Sequence, residues 1–526
     1  MKILVLDGVK EAGVEALQRP GWQVDITSER WTEAELISRI GTYDALIVRS
    51  ATKVTAAVIE AAHSLKVIGR AGVGVDNIDL EAATRRGIVV VNAPDGNTIA
   101  AAEHSFALML ALARNIPQGD SSLKQGRWDR KNLVGVELRQ KTLGILGLGR
   151  IGSAVARRAQ AFDMLCLGYD PYISEEQANR LGIELVPLNI LLERSDFITI
   201  HMPLTEDTRH LLDTKALSLM KPGVRVINVA RGGIIDEAAL AEAINTGRIA
   251  GAAVDVFEEE PVVSSPLLDC PNVVLTPHLG ASTEEAQLHV AVDVAEAIAK
   301  FLDGGVPNNA VNMATIAPEV MEKLAPYIQL AEKLGAFLAQ MAGGISRLRV
   351  TYSGALMDWK TGPITTSILK GMLERIVDDH VNLVNADYLA RRRGIKVETV
   401  HRGNGDDYHN RIAAEAETAE GMVTVAGSVF QPDSPRIVEI NGYRVDAVPT
   451  GHMLVAPHQD RPGIIGKVGT ILGEAGINIA TMQVGRKKQG GPAVMVLGTD
   501  AHLPPDVLDA ICQISGIYGA KQVVLV

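Results

Sequence analysis

TLGILGLGRIG, residues 142–152, is the stretch that decides the fold. Its first five residues form an apolar run typical of a buried parallel strand, and Gly147, Gly149 and Gly152 form a GxGxxG motif. Glycines at this spacing let the chain turn tightly and let its backbone approach a pyrophosphate, which the N-terminus of the next helix stabilises. A helical pattern follows to about Phe162. This order predicts a dinucleotide-binding Rossmann unit, with an unliganded glycine-rich turn as the alternative.

The acid expected downstream of such a motif is Asp170, at the end of the next apolar run. Its carboxylate can accept hydrogen bonds from an adenosine ribose diol and would repel a 2′-phosphate. No Arg or Lys lies between Asp170 and Arg180 to bind such a phosphate. The sequence therefore favours NAD over NADP as the cofactor.

Short Val/Ile/Leu runs alternate with helical stretches through most of the first 300 residues, which is typical of parallel sheets covered on both faces. A long helical stretch, about Thr98 to Arg114, divides them into two groups. We therefore predict an α/β protein with two Rossmann-like, doubly wound lobes. Residues 1–97 and 285–305 are expected to form a substrate-binding lobe, and residues 98–284 the NAD-binding lobe.

Two further modules are predicted in the C-terminal part of the 526-residue chain. Residues 306–319 are rich in Gly, Asn and Pro and are interpreted as a linker. Residues 320–448 are expected to form an α+β domain with one helix near Val320–Met341, another near Ile364–Arg391 and a terminal hairpin-like stretch. Residues 452–526 follow a βαββαβ order, the ferredoxin-like pattern.

Composition excludes several classes of function. The formal net charge of −11 provides no positive field for nucleic acid. The three cysteines are distant and without CxxC spacing, so we expect no disulfide framework, no thiolate metal site and a cytoplasmic location. The N-terminal apolar run is too short for a signal peptide, and no run approaches the length of a membrane span.

Three segments that follow successive predicted strands carry the chemical signal: residues 228–236 (NVARGGIID), 255–261 (DVFEEEP) and 276–282 (TPHLGAS). Ligands of open α/β sheets bind at the carboxyl ends of strands, so these segments are expected to meet at the cofactor. In them the sequence resembles the D-2-hydroxyacid dehydrogenases, over roughly residues 1–305. With its C-terminal modules it is similar to the long members of that family, which carry an intervening domain and an ACT domain.

Hydride transfer from a 2-hydroxy acid requires a base for the hydroxyl proton, a cation for the carboxylate and a group that orients the base. We predict His278 as the base, because imidazole titrates near neutral pH. Glu260, bonded to the other ring nitrogen, would fix the tautomer and stabilise the imidazolium. Arg231 would bind the carboxylate or polarise the carbonyl oxygen. Taken singly, each of these residues is more typical of a solvated surface.

The resemblance also implies the residues of the cofactor site, and it places Asp255 near the nicotinamide carboxamide. The full predicted set is Gly147, Gly149, Arg150, Ile151, Gly152, Asp170, Pro203, Thr208, Val229, Ala230, Arg231, Asp255, His278, Leu279, Gly280 and Ala281.

For the substrate, the resemblance implies Arg49, Arg70 and Gly72, which follow apolar strands of the first lobe. An anionic substrate of an acidic protein needs such a local cationic pocket, although surface arginines after strands are common. The implied reaction is NAD-dependent oxidation of 3-phospho-D-glycerate to 3-phosphooxypyruvate, the first step of L-serine biosynthesis, with reduction of 2-oxoglutarate as a side activity. The alternatives are a dehydrogenase for a different D-2-hydroxy acid and an NAD-sensing regulator without turnover.

The resemblance of residues 452–526 to an ACT domain implies an amino-acid effector, with L-serine as the candidate. His458, Asp460 and Asn478 match the positions that bind serine in relatives, and the site is expected to form between subunits of a homodimer or homotetramer. The alternative is a module that only dimerises.

Overall fold

A computed structural model describes residues 1–314, 318–403, 408, 410–431 and 434–525. Within these ranges the chain forms four β-sheets of five, seven, six and four strands. The predicted linker residues 315–317 and the last residue, 526, lie outside the described residues, as do short parts of the predicted α+β domain. No helix in the described ranges has the length and apolarity needed to cross a bilayer.

The first lobe is a parallel five-stranded sheet with a buried core on each face. Its elements, in chain order, are β1 (Lys2–Val5), β2 (Gln23–Ile26), α1 (Glu33–Arg39), β3 (Ala45–Val48), α2 (Ala56–Ala61), β4 (Val67–Arg70), α3 (Leu80–Arg85) and β5 (Val89–Asn92). The strand order is β2-β1-β3-β4-β5, which leaves β2 and β5 at the edges. All four residues of β3 are buried, as expected for the central strand of a doubly wound sheet.

The second lobe is a parallel seven-stranded sheet reached through α4 (Thr98–Ala113) and α5 (Ile116–Lys124). Its strand order is β12-β11-β10-β9-β6-β7-β8. The order in which successive strands are added to the sheet reverses at β6, and the glycine motif follows that strand. The elements are β6 (Thr142–Leu146), α6 (Arg150–Ala161), β7 (Leu165–Tyr169), α7 (Glu175–Arg180), β8 (Glu184–Leu185), α8 (Leu188–Arg194), β9 (Phe197–Ile200), α9 (Thr214–Leu219), β10 (Val224–Asn228), α10 (Glu237–Asn245), β11 (Ile249–Val254) and β12 (Val273–Leu275).

The chain then returns to the first lobe along α11 (Glu284–Leu302), whose buried face packs into the core of the first sheet. Part of the segment predicted as a linker, residues 306–319, packs on the first lobe. Val311 N donates to the Val90 carbonyl at 2.7 Å, and the Asn312 side chain bonds Val90 N and Ile88 O at 2.8 and 2.9 Å. Residues 309–312 therefore form a strap along the edge of β5.

The third module is a six-stranded sheet covered by helices. Its elements are α12 (Pro318–Met341), β13 (Arg347–Gly354), α13 (Gly362–Leu373), α14 (Ala386–Arg392), β14 (Lys396–Arg402), β15 (Asn410–Thr418), β16 (Gly421–Val429), β17 (Pro435–Ile440) and β18 (Tyr443–Ala447), with the strand order β14-β13-β15-β16-β17-β18. The single helix predicted over residues 364–391 is wrong. Asn382 and Asn385 bond main-chain N–H groups between α13 and α14, and such side-chain bonds compete with a continuous helix.

The fourth module has the predicted βαββαβ order: β19 (Gly451–Gln459), α15 (Ile464–Glu474), β20 (Ile479–Arg486), β21 (Pro492–Thr499), α16 (Pro505–Cys512) and β22 (Lys521–Leu525). Its sheet and the helices α15 and α16 enclose a core of their own, around Leu472 and Leu497, while the other face of the sheet is shared with the third module. Met453, Val455, Val494 and Val523 belong to the apolar cluster built around α12. Gln340 on α12 also bonds both main-chain groups of Val524, at 2.8 and 3.0 Å. The last two modules therefore form one packing unit.

Candidate active site

Each of the three glycines of the motif is required for a different structural reason. Gly147 has φ of +90° and a Cβ there would lie 2.5 Å from the His201 carbonyl oxygen. A Cβ at Gly152 would overlap the Gly147 carbonyl, so Gly152 permits close packing of helix on strand. No described atom lies within 4 Å of a Cβ at Gly149, the N-cap of α6, and none of the described side chains caps that helix. Free N–H groups at an open helix N-terminus are what a pyrophosphate requires.

Asp170 lies beside this turn. Its carboxylate accepts hydrogen bonds from Leu148 N at 2.8 Å and from Tyr172 N at 2.9 Å. Each oxygen retains a lone pair for a further donor, such as a ribose hydroxyl. Arg150 forms an ion pair with Asp95 across the mouth of the cleft.

A cavity of about 280 Å³ lies between the two lobes at the carboxyl ends of their strands. It brings together many of the residues predicted from sequence: Arg49, Arg70, Gly72, Ile151, Pro203, Val229, Ala230, Arg231, His278, Gly280 and Ala281. Thr208 lies behind Pro203 and donates to its carbonyl at 2.7 Å, so it shapes the wall indirectly. Asp255 and Leu279 are not among the residues lining the cavity.

His278 and Glu260 form a close pair. His278 Nδ1 lies 2.6 Å from Glu260 Oε2, and Glu260 Oε1 accepts the Phe257 N–H at 3.1 Å. Burial tends to raise the pKa of Glu260, but the hydrogen bond and charge of His278 and the Phe257 N–H outweigh it and hold the pKa below its ordinary value. Glu260 is therefore ionised at neutral pH and accepts the Nδ1 proton, which leaves Nε2 of His278 as the proton acceptor.

Asp255 supports the loop that carries His278. Its fully buried carboxylate accepts hydrogen bonds from Leu279 N at 2.8 Å, Gly280 N at 2.9 Å and the Thr276 hydroxyl at 2.6 Å. His104 Nε2 of α4 lies 3.2 Å from the same carboxylate. His278 itself has φ of +54°, a left-handed conformation that is uncommon for a non-glycine residue. Asp255 therefore holds the main chain of residues 279 and 280 in place beside His278.

Two arginines enter the cavity from opposite lobes. Burial and the nearby charge of Arg231 lower the pKa of Arg70 to about 10, so Arg70 remains cationic at neutral pH. Its Nε is buried, and no described residue accepts a hydrogen bond from it. Arg231 donates from Nε to Asp76 at 2.9 Å and from Nη1 to the Ala230 carbonyl at 2.6 Å.

Sequence reasoning missed two members of this site. His201 lines the cavity and bonds the Thr199 hydroxyl at 2.9 Å; burial lowers its pKa to about 3, so it is neutral. Asp76 contacts Arg231 from the first lobe. His201 directly follows the predicted strand near residue 200, and this position at a strand end could have indicated a site residue. Nothing in the local sequence associates Asp76 with Arg231, which is 155 positions away.

The three predicted effector residues do not contact one another in the described chain. The His458 side chain is buried and bonds the Ala456 carbonyl at 3.1 Å, so it is not accessible to a ligand in this arrangement. Asp460 pairs with Arg486 at 2.9 Å and accepts Gly490 N, and these bonds lower its pKa. Asn478 donates to Asp500 at 2.8 Å. Asn478 and Asp460 lie at the periphery of the module.

The residues present fit a dinucleotide. The helix N-terminus at Gly149 is open. The buried side-chain oxygens of Asn97 and Thr98, at the start of α4 beside the cleft, have no hydrogen-bond partner in the described part of the chain. The fold and this site define a D-isomer-specific 2-hydroxyacid dehydrogenase with an NAD-binding domain: the family of that name matches residues 106–280. The D-3-phosphoglycerate dehydrogenase intervening domain matches residues 323–441, and the ACT domain residues 453–516.

Full-length relatives narrow the class. The chain is 48% identical to D-3-phosphoglycerate dehydrogenase of Synechocystis, over all of this chain and 95% of that protein. It is 49% identical to the enzyme of that name from Methanocaldococcus jannaschii, over 98% of each. The chain belongs to the D-3-phosphoglycerate dehydrogenase family. The catalytic lobes are also similar to the D-lactate dehydrogenase of Aquifex aeolicus solved with NAD and lactic acid: 29% identity, TM-score 0.52, covering 59% of this chain and 98% of that one.

Proposed function

We propose that this enzyme oxidises 3-phospho-D-glycerate to 3-phosphooxypyruvate, the entry to L-serine synthesis, with His278 as the base, Glu260 as its partner and Arg231 as the carboxylate ligand. The observation that carries the proposal is the convergence of the His278–Glu260 pair with three arginines, Arg49, Arg70 and Arg231, on one cavity. A small substrate with a carboxylate and a phosphate matches that density of positive charge. Full-length relatives that carry this activity in their name also support it.

Each residue of the site is assigned a separate role in the reaction. NAD, held at the glycine turn and by Asp170, would supply the hydride acceptor for C2 of the substrate. His278 Nε2 removes the hydroxyl proton, and Glu260 stabilises the imidazolium that forms because it stays ionised beside Nδ1. Arg231 binds the carboxylate and holds C2 facing the cofactor side of the cleft. Arg70 and Arg49 bind the 3-phosphate, and in the reverse reaction His278 returns the proton.

The proposal is tested by following NADH formation over a panel of D-2-hydroxy acids: 3-phosphoglycerate, glycerate, lactate and 2-hydroxyglutarate. We expect the highest kcat/KM for 3-phosphoglycerate, and with NADH a slower reduction of 2-oxoglutarate. Preference for another member of the panel would assign the enzyme to that acid. NADH binding without turnover of any member would favour a regulatory protein.

Asp170→Ala should weaken NAD binding and narrow its advantage over NADP, because the carboxylate bonds the ribose diol and repels a 2′-phosphate. Loss of one charge-assisted hydrogen bond corresponds to an affinity loss of about tenfold or more. The measurement is the KM for each cofactor, with Glu193→Ala, an exposed acid on α8 of the same lobe, as the control. If the parent enzyme already uses NADP as well as NAD, the role proposed for Asp170 is wrong.

Arg70→Gln should raise the KM for 3-phosphoglycerate far more than the KM for an unphosphorylated hydroxy acid. The reason is that Arg70 is a largely buried cation whose Nε has no partner among the described residues, and a hydrogen bond to a charged group contributes about 1.5–3 kcal/mol, or roughly 10–150-fold in binding. The comparison of both substrates isolates the phosphate contact. Equal losses on both would reassign Arg70 to the carboxylate or to packing.

We also propose that L-serine is an effector, bound between the ACT domains of two subunits, with Asp460 from one subunit and Asn478 from the other. Within one chain these two residues lie at opposite ends of the sheet, because Asp460 follows β19 beside Pro492 and Asn478 precedes β20 beside Thr499. Asn478→Ala should weaken serine inhibition while leaving the uninhibited rate nearly unchanged. Deletion of residues 452–526 is unsuitable as a test, because it would expose the apolar face of α12 that this module covers. Calorimetry on the intact protein checks serine binding, and absence of heat would reduce the module to a role in assembly.

A homodimer or homotetramer is proposed as the working form. Trp128 and Val134, each 81% exposed, lie with Leu123 on and after α5, and exposed apolar side chains of this size favour burial against another chain. We place the enzyme in the cytoplasm, on the argument from the unpaired spacing of its cysteines.

A further inference from the structure

The first-lobe loop of residues 72–76 surrounds the guanidinium groups of two arginines. A Cβ at Gly72 would overlap the guanidinium of Arg70, and a Cβ at Gly74 would overlap that of Arg231. Any side chain at either glycine would therefore displace a cation from the cleft. The loop ends at Asp76, whose side chain is 66% exposed and does not line the cavity.

Asp76 contacts Arg231 across the cleft. Its Oδ2 accepts a hydrogen bond from Arg231 Nε at 2.9 Å, although Asp76 belongs to the first lobe and Arg231 follows β10 of the NAD-binding lobe. The Ala230 carbonyl accepts from Arg231 Nη1 at 2.6 Å. Two contacts on different nitrogens fix both the direction and the plane of the guanidinium. No described residue accepts a hydrogen bond from Nη2, so the outer end of the group remains available to a ligand carboxylate.

Asp76 is also a counter-charge. Arg49, Arg70 and Arg231 line one cavity, and the charges of Arg231 and Arg49 each act to lower the pKa of Arg70, while that of Asp76 acts to raise it. Like charges gathered in a partly desolvated cleft repel one another, and an acid beside them lowers that cost.

We propose that Asp76 is a positioning residue for the dehydrogenase reaction, which holds Arg231 in the orientation that binds the substrate carboxylate. Because the pair spans the cleft, this orientation is set only when the two lobes are close together. Opening of the lobes releases Arg231 from its second anchor. The inference rests on the proposed function of the cleft as a 2-hydroxy acid site.

The first test compares Asp76→Ala and Asp76→Asn with Glu60→Ala. Glu60 is a matched control, because it is an acid of the same lobe, 62% exposed, that pairs with Arg85 away from the cleft. Misorientation of a substrate-binding arginine is expected to lower kcat/KM about 10²-fold in Asp76→Ala. Asp76→Asn should retain part of the activity, since its amide oxygen still accepts from Nε. Glu60→Ala should stay within about fivefold of the parent, and NADH affinity should be unchanged in all three.

A double-mutant cycle then separates positioning from a general effect on the loop. If Asp76 acts through Arg231, Asp76→Ala causes no further loss in an Arg231→Ala background. The same cycle is also measured without turnover. The quantity is the affinity of the enzyme–NADH complex for oxamate, a 2-oxo acid analogue, and it is followed by quenching of NADH fluorescence. Equal losses in both backgrounds would overturn the inference, as would a lower KM in Asp76→Ala, which would mean that Asp76 competes with the substrate.

The substrate for the cycle is whichever hydroxy acid the parent enzyme oxidises fastest. If that substrate is not 3-phosphoglycerate, the proposed function is refuted. The coupling between Asp76 and Arg231 is measured independently of that outcome.

Discussion

His278→Ala is expected to oxidise the hydroxy acid about 10²–10⁴ times more slowly than the parent, while binding NADH with nearly the same affinity. The imidazole contributes to proton transfer, whereas the glycine turn that receives the pyrophosphate lies on a different strand end. The parent rate should rise as pH increases, because the base must be neutral to accept the hydroxyl proton. In His278→Ala this dependence should be lost, which is checked by measuring kcat between pH 6 and 10.

The matched control for this prediction is His289→Ala, an exposed histidine on α11. It should keep the activity and the pH profile of the parent. Loss of NADH affinity equal to the loss of rate in His278→Ala would instead assign His278 a structural role.

Asp255→Ala is expected to lower both stability and turnover, because it removes the acceptor of four donors in a fully buried position. The main-chain N–H groups of Leu279 and Gly280 would be left without a partner, at a cost of about 1–3 kcal/mol each. The loop would relax, and His278 would lose the constraint that maintains its positive φ. Unlike His278→Ala, this variant should bind NADH more weakly.

Calorimetry of thermal unfolding and titration of NADH fluorescence measure these two losses. Asp255→Asn should be intermediate, since one carbonyl oxygen remains to accept a hydrogen bond. Asp120→Ala, on the surface of α5, is the control and should match the parent. Unchanged unfolding temperature and unchanged NADH affinity in Asp255→Ala would show that the carboxylate does not hold the loop.

The two Rossmann-like lobes were predictable because their signals are local. An apolar run followed by GxGxxG and a helix is contained within some twenty residues, and the structure has β6, the turn and α6 in that order. The pairing of His278 with Glu260 was predictable from chemistry, because a base needs a partner and each follows a strand end. The βαββαβ order of the last module was equally predictable, because each of its elements has a clear hydrophobic periodicity.

The features that escaped prediction depend on contacts between distant segments. The Asp76–Arg231 bond joins two lobes, and the role of Asp255 as support for a loop depends on where its neighbours' N–H groups point. The shared core of the last two modules is invisible in either sequence taken alone, because apolar residues on β19 and β22 would also suit a separate domain. Strand β13 was missed although its sequence carries a period-2 signal, with buried Leu348, Val350 and Tyr352 alternating with partly exposed residues. Strand β14 is largely exposed and has no such pattern.

The strap of residues 309–312 determines where a fragment that contains only the two catalytic lobes should end. β5 is an edge strand, and the strap is what occupies the outward-facing N–H and C=O groups at Val90 and Asn92. A catalytic fragment ended at residue 305 would expose that row of groups to other molecules, and unpaired strand edges promote edge-to-edge aggregation. A fragment extended to residue 314 carries its own protection and is the better starting point for expression of the two lobes alone.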